Sequence, residues 1–393
     1  MLYFTKEKYD CTGCGACKAV CPVDCITLIY DEEGFLYPIS DARCIDCGKC
    51  ERVCPMINKN FVFVKEDFQQ YSIVGRHKSD HIWKKSASGG AFTAICELYH
   101  EDDGAIFGVR FNGTNVVHDY VRNIEDIGVF RKSKYVQSDM GNSYHELKKL
   151  LDNNKKVIFS GTPCQVAGIK NYLGKNYDNL LCIDLICHGV GSPGVFRKYI
   201  EYLEKRYGSK IKSFTFRHKK IKMGRMLQYV IVVEFENGKI IENENDIYNT
   251  AFIQALILRP SCEKCRFANI HRVGDLTIGD FKKKHELLPE AKGLDNFSTI
   301  IVNSKKGEEV ASQLEENMVI YSVEISDIIK TNPPLRQASR LNENRELLFQ
   351  DLLKDESVET ILMRYITNPK LYMKIWMSLP DRIRGFIKRR IKL

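Results

Sequence analysis

The 393-residue chain lacks any apolar run near the length, about 18 residues, that a membrane-spanning helix needs. Residues Met1 to Lys6 lack the pattern of a signal peptide and run straight into a cysteine motif, so a cytoplasmic location is expected. There is no G-x-G-x-x-G fingerprint and no Walker loop, which excludes the commonest glycine-rich phosphate cradles. Acid is scarce at one end. From Lys370 to Leu393 there are eight basic residues against Asp381, although the whole chain is only +9. The net charge therefore describes the tail more than the core.

Cysteine, by contrast, is abundant. Fifteen thiols in a chain of ordinary globular composition suit a reducing compartment, where they stay free for metal. Cys11, Cys14, Cys17 and Cys21 stand as C-x2-C-x2-C-x3-C-P. Cys44, Cys47, Cys50 and Cys54 repeat that spacing 33 residues later, and Pro22 and Pro55 close the two sets. Three thiolates spaced by two residues wrap one iron–sulfur cubane, and the fourth, beside proline, reaches the other. Cys11, Cys14, Cys17 and Cys54 are thus expected to hold one 4Fe-4S cluster, and Cys44, Cys47, Cys50 and Cys21 a second. Zinc ribbons use paired cysteines instead. So small a unit has little core, and the clusters are expected to supply most of its cohesion. Cys25, Cys96 and Cys182 are read as packed core thiols.

The fold class expected is α+β. A small ferredoxin-like double-cluster domain (residues 1–58) precedes a larger mixed α/β flavin-binding domain (71–335) and a helical basic tail (336–393). Asp31 to Gly34 signals a hairpin within the first domain. Strands are expected at 105–109, 157–160, 180–186, 229–235 and 276–278, with a turn at Asn237-Gly238. Helices are expected at 91–100, 143–152, 165–173, 193–207 and 340–365, the last after a break at Pro333-Pro334. In the tail, Leu371, Ile375, Leu379, Ile383, Phe386, Ile387 and Ile391 share one helical face between basic residues, interrupted by Pro380. Such a face suits an anionic membrane surface, a partner protein or the chain's own core.

In the middle of the chain Gly161-Thr162-Pro163-Cys164-Gln165 follows a strand and opens a helix, where the helix dipole favours a thiolate. Cys187-His188-Gly189 ends another strand, and Cys262-x-x-Cys265 lies in a loop. These four cysteines fit a third 4Fe-4S cluster; zinc, or a reactive Cys164 with Cys187, fits them too. Ser86 to Ala91 precedes a helix, so Ser88 is placed to cap it while Gly89 and Gly90 let backbone N–H groups approach an anion. The plain reading of that segment is a capped helix. The run Arg217-His218-Lys219-Lys220 reads as a solvated surface, or as a patch for an acidic partner. His188 reads as a structural hydrogen-bond donor ahead of a proton donor.

The strings Ser-Gly-Thr-Pro-Cys-Gln at 160–165 and Asp-Leu-Ile-Cys-His-Gly at 184–189 are distinctive. So is Cys262-x-x-Cys265-x-Phe267 followed by Gly-Asp-Leu-Thr-Ile-Gly-Asp at 274–280. Together they resemble the coenzyme F-420 hydrogenase/dehydrogenase β-subunit family over residues 1 to 300. That family includes flavin-dependent oxidoreductases acting on the deazaflavin and the plant hydroxymethyl-chlorophyll reductase. Members with this layout also occur among bacterial surface-polysaccharide genes. The resemblance implies a third 4Fe-4S cluster on Cys164, Cys187, Cys262 and Cys265, and an FAD. It puts Ser88, Gly89, Gly90, Ser133, Lys134, Tyr135, Gly161 and Thr162 beside the flavin, with Lys134 neutralising a phosphate or the reduced ring. The plain reading of Lys134 is a solvated lysine before a strand. Two segments depart from the family pattern. Lys282 to His285 replaces a Trp-Gly-rich stretch after Phe281, and Gly224-Arg225 replaces a Gly-Trp pair. The family's best-known substrates are therefore not carried over.

The function expected is an iron–sulfur flavoprotein oxidoreductase. Electrons pass between the clusters and a flavin, which exchanges hydride with an organic substrate or a deazaflavin. The competing reading is a non-catalytic electron-transfer subunit serving surface-polysaccharide synthesis. Expected partners are a redox protein such as ferredoxin, a small-molecule substrate, and a peripheral membrane contact through the tail. Nucleic acid is not expected.

Overall fold

The computed structural model describes residues 8–58, 67–222, 225–282, 284–291 and 294–367. The tail face at 371–391, Lys283 and the Gly224 departure lie outside the described residues.

Two strands, β1 (Ile26–Tyr30) and β2 (Leu36–Ser40), form the antiparallel hairpin expected around Gly34. Gly34 takes φ 76° at the turn, and a Cβ there would come within 2.4 Å of Gly194 Cα. Only glycine allows this close approach to the helix Pro193–Tyr207.

The strands that follow are β3 (Tyr71–His77), β4 (Ala105–Asn112), β5 (Asn115–Val121), β6 (Val157–Gly161), β7 (Leu180–Leu185), β8 (Ile211–Lys222), β9 (Arg225–Phe235), β10 (Ile240–Asn243), β11 (Leu276–Asp280), β12 (Ser298–Val302) and β13 (Met318–Ser322). Eight of them form the main sheet, in the order β13-β3-β12-β11-β7-β6-β4-β5. The centre, β4-β6-β7-β11, is parallel, and the flanks are antiparallel. The central strands read as continuous apolar runs because helices cover both faces. One face packs on the helix Ala91–Tyr99 through Ile95, Ile106, Ile158 and Ile183. The other packs on the helices Ser143–Asp152 and Pro163–Leu173, and there Cys14, Ala16 and Val53 of the cysteine-rich unit join the same core.

The remaining three, β8 to β10, form an antiparallel meander. It shares a core with the helix Pro193–Tyr207 and with two short helices, Arg345–Asp351 and Val358–Tyr365. Those two replace the single helix expected over 340–365. The chain turns at 352–357, where Ser357 caps the second helix through Thr360 N. Arg345 then reaches back to the β1–β2 turn and pairs with Glu33, Nη1 to Oε1 2.9 Å. Among the described residues no helix is long and apolar enough to cross a membrane.

Candidate functional site

The two N-terminal half-motifs fold alike. In each, a glycine in the left-handed region (Gly15, φ 80°; Gly48, φ 65°) starts a five-residue helix. The third cysteine lies in the helix and the fourth leaves it in extended conformation, beside proline. The charges that act on Cys17 are those of Cys14, Cys11 and Cys54, so the crossed assignment of the first quartet matches the neighbourhood. Cys21 lies in the other half. Its Sγ is 3.4 Å from Cys25 Sγ, and Cys25 also neighbours Cys44. Cys25 is buried, but it is a neighbour of the second quartet as well as a packing residue.

Burial separates the quartets. Cys11, Cys14 and Cys17 are buried, whereas Cys44 is exposed and Cys47 and Cys50 are half-buried. Desolvation and neighbouring thiols push Cys14 up to about 12.

Cys164, Cys187, Cys262 and Cys265, far apart in sequence, meet in space. The thiols acting on Cys187 are Cys262, Cys164 and Cys265. Thr162 and Gln165 form a capping box over the helix, with Pro163 in its first turn, and Thr162 Oγ1 lies 3.1 Å from Cys164 Sγ. Burial nevertheless pushes Cys164 up to about 11, with Cys265 adding to it. The expected helix-end thiolate is therefore overruled by desolvation, which disfavours a free nucleophile. A cationic cluster would supply what the buried thiols lack. Among the described residues no three His, Cys, Asp or Glu side chains close round a single metal ion. A cubane holds its thiolates apart at separate corners, so neighbouring but unconverged quartets fit it.

The first and third quartets are joined. Cys164 acts on Cys14, and four residues along the same helix a Cβ on Gly168 would come within 3.2 Å of Cys14 Sγ. Arg266, next to Cys265, donates to Pro55 O at 2.7 Å, next to Cys54. Tyr144 OH donates to Cys14 O at 2.7 Å. The strand β7, which leads into Cys187, is anchored by Asp184. Its carboxylate is fully buried and accepts from Arg272 Nη2 (3.0 Å), Val273 N (3.1 Å) and Gly274 N (3.0 Å). This acid of the 184–189 string is a clamp between β7 and the loop after Cys265.

Cys187 also stands on the wall of a cavity of about 840 Å³. The cavity opens at the carboxyl ends of β6, β7 and β11, the usual ligand position on a parallel sheet. Ser88, Gly90, Ser133, Lys134, Tyr135, Gly161 and Thr162 all line it. Gly89 does not. Its N–H donates to Ser298 Oγ at 2.8 Å, and a Cβ would strike Gly75 O at 2.1 Å, so its role is close packing against β3 and β12. Nor does Ser88 cap the helix. Gly90, at φ 98°, is the N-cap, and Ser88 Oγ donates to Phe297 O.

The lining carries Arg131, Lys132, Lys134, Arg217, Lys282 and Arg340 against the single acid Asp280. Lys134 precedes no strand and is not a solvated lysine. It donates to the carbonyls of Arg131 (2.9 Å) and Val129 (3.0 Å), and burial, helped by Lys132, pushes its amine down to about 7. Tyr135 stacks on Phe252 at 4.5 Å. His188 lines the cavity and is hydrogen-bonded through Nδ1 to Ser339 Oγ at 3.1 Å.

The basic run at 217–220 is not a solvated surface throughout. The pairing of β8 with β9 slips between Thr215 and His218, so one extra residue turns both Phe216 and Arg217 inward. Arg217 then binds Asp280 through Nη1 at 3.0 and 2.9 Å and lies over Tyr229. Lys219 donates to Trp83 O and Ser88 O, both at 2.6 Å, and burial pushes its amine down to about 7. Sequence reading also missed His118. It is buried against Ser138 and Ser160, and desolvation lowers it to about 4. Ser138 accepts from Gln165, so this chain of hydrogen bonds ends at the Cys164 helix. A second cavity, about 550 Å³ beside Tyr30 and Arg197, has no cysteine in its wall.

Residues 154–328 match the family model for the C terminus of the coenzyme F420 hydrogenase/dehydrogenase beta subunit. Residues 10–58 match a 4Fe-4S dicluster domain. The chain is thus similar to the coenzyme F420 hydrogenase/dehydrogenase beta-subunit family over its larger domain and to 4Fe-4S dicluster domains at its N-terminal end. A coenzyme F420-dependent sulfite reductase of Methanocaldococcus jannaschii is 26% identical over 348 residues, 86% of this chain and 51% of that protein. The chain thus spans about half the length of this curated relative. The solved F420-reducing NiFe hydrogenase complex from Methanosarcina barkeri contains a chain that is 17% identical with a TM-score of 0.43, covering 76% of this chain and 91% of that one. That likeness is too loose to carry an argument.

Proposed function

We propose that the protein is an iron–sulfur flavoprotein oxidoreductase with three 4Fe-4S clusters and one FAD, exchanging hydride with an organic substrate or a deazaflavin. One observation carries the reading: Cys187, of the third quartet, stands on the wall of the cationic cavity, and Cys164 of that quartet neighbours Cys14 of the first. Bound clusters supply single electrons, and a bound flavin supplies the change to hydride chemistry. The chain's residues do the rest. Lys134, Lys132 and Arg131 offer positive charge to an anionic group, and Tyr135 with Phe252 offers an apolar stacked wall. Arg217, held by Asp280, places its guanidinium at the lining. The exposed Cys44 quartet is the side on which a redox protein such as a ferredoxin would dock.

The relative named as F420-dependent supports a deazaflavin as the hydride partner. Lys282, in place of the family's Trp-Gly-rich stretch, favours a different, more anionic acceptor or a purely electron-transferring subunit. Iron, acid-labile sulfide and flavin content after oxygen-free purification tests the reading. About twelve irons, from three cubanes, with about one FAD supports it. About eight irons without flavin would reduce the larger domain to a docking scaffold. The basic residues and apolar face of the segment 370–393 support a membrane contact. Flotation with anionic vesicles should be lost when that segment is deleted.

A further inference from the structure

Four arginines are buried among the described residues: Arg217, Arg259, Arg272 and Arg345. Three have a carboxylate, namely Asp280, Asp184 and Glu33. Arg259, the most deeply buried at 0% exposure, has none among the described residues. Its guanidinium donates only to neutral oxygens: Nε to Cys11 O (2.7 Å), Nη1 to Gln137 Oε1 (2.8 Å) and Nη2 to Leu36 O (2.9 Å). Tyr37 and Phe35 roof it, their ring centroids 4.2 and 5.3 Å from its Cζ. A buried cation held only by dipoles is costly unless an anion lies near.

Its position shows which anions those are. The side chain grips the carbonyl of Cys11, in the first quartet. Gly13, between Cys11 and Cys14, makes room, since a Cβ there would lie 2.8 Å from Arg259 Nη1. The backbone of Arg259 accepts from Cys262 N at 3.0 Å, starting the turn that carries the third quartet. Its hydrogen bonds reach no cysteine of the Cys44, Cys47, Cys50 and Cys21 quartet.

We propose that Arg259 is the electrostatic positioning residue of the electron path, raising the reduction potentials of the first and third clusters together and leaving the second alone. The inference rests on the cluster reading above. Each one-electron reduction adds a negative charge to a thiolate-bound cluster, and a fixed cation nearby favours the reduced form. One residue bonded to both the Cys11 and the Cys262 segments would shift both potentials in the same direction and change the difference between them little.

The test uses the full chain, purified without oxygen, as wild type, R259K, R259Q and Q137E. Iron and sulfide are measured first, then redox titrations are followed by electron paramagnetic resonance. R259Q should shift two of the three one-electron waves to lower potential by a tenfold change in the reduction equilibrium, about 59 mV. The third wave should stay in place. R259K, which keeps the charge, should retain most of the wild-type values. Q137E sets a carboxylate against the guanidinium without removing it, and should lower the same two waves. It decides the matter if R259Q fails to fold. Full iron with unmoved waves in R259Q and Q137E would overturn the proposal alone. So would an R259K shift as large as that of R259Q, because geometry rather than charge would then be responsible. A wild-type chain without the irons would overturn the cluster reading and this proposal with it.

Discussion

Replacing Gly168 by alanine sets two effects of known size against each other. Gly168 lies inside the helix Pro163–Leu173, where alanine is preferred over glycine by about 1 kcal/mol. Helix propensity alone therefore predicts a more stable protein. Tertiary packing predicts the reverse. A Cβ there would lie 2.6 Å from Tyr144 OH, 3.2 Å from Cys14 Sγ and 3.3 Å from Cys14 Cβ. Tyr144 is buried, and its hydroxyl donates to Cys14 O at 2.7 Å, so it cannot swing away without loss. Overpacking costs roughly 1–3 kcal/mol, and a buried carbonyl left without its donor costs about 1–3 kcal/mol more. The larger sum wins, and a net loss of about 1–5 kcal/mol remains after the propensity gain. The apparent melting temperature of the anaerobic protein should fall by several degrees. Iron content should fall too, because Cys14 is displaced. A G168A protein that melts at or above the wild-type temperature with full iron would refute the argument that the helix and the first quartet are in contact here.

Removing one thiol of the third quartet should be selective: C187S should lose about four irons and keep about eight, read by iron analysis, whereas unchanged iron would dissolve the quartet. Asp184→Asn leaves the buried Arg272 without its carboxylate. Breaking such a pair costs about 3–5 kcal/mol, so thermal melts should show a large loss, and a near-neutral D184N would sink the clamp. Affinity for an anionic cavity ligand should depend on pH. Lys134, on the cavity lining, is pushed down to about 7 by burial first and by neighbouring Lys132 after it. A bound anion raises it, so binding takes up a proton and weakens as pH rises above about 7. Flavin affinity measured by fluorescence should fall on that side and flatten in K134M; a flat wild-type profile would refute it.

Some of the molecule was legible because it is local. The C-x2-C-x2-C-x3-C-P runs close over one turn of helix, and the Gly34 turn closes over a few residues, so spacing alone announces them. The helices Ser143–Asp152 and Pro193–Tyr207 fall where their apolar periods put them. The antiparallel strands β3, β12 and β13 were not foreseen. Their pairing joins segments more than two hundred residues apart, and neither alternation nor turn signals report such a partner.

The site divides along the same line. The two cysteine runs of one spacing were legible in the sequence alone, since that information lies in short intervals along the chain. The third quartet needed the motif resemblance, because Cys164, Cys187 and the Cys262–Cys265 pair come together only when β6 and β7 lie side by side. Arg217 shows what only tertiary structure could decide. In a regular strand its neighbours would alternate, and the run 217–220 would lie half in water. A single bulge turns it onto Asp280 and into the cavity. Arg259 has no local signature at all. Its importance comes from oxygens of three distant segments, the Cys11 carbonyl among them, and the surroundings of a buried charge are set by folding rather than by neighbours in the chain.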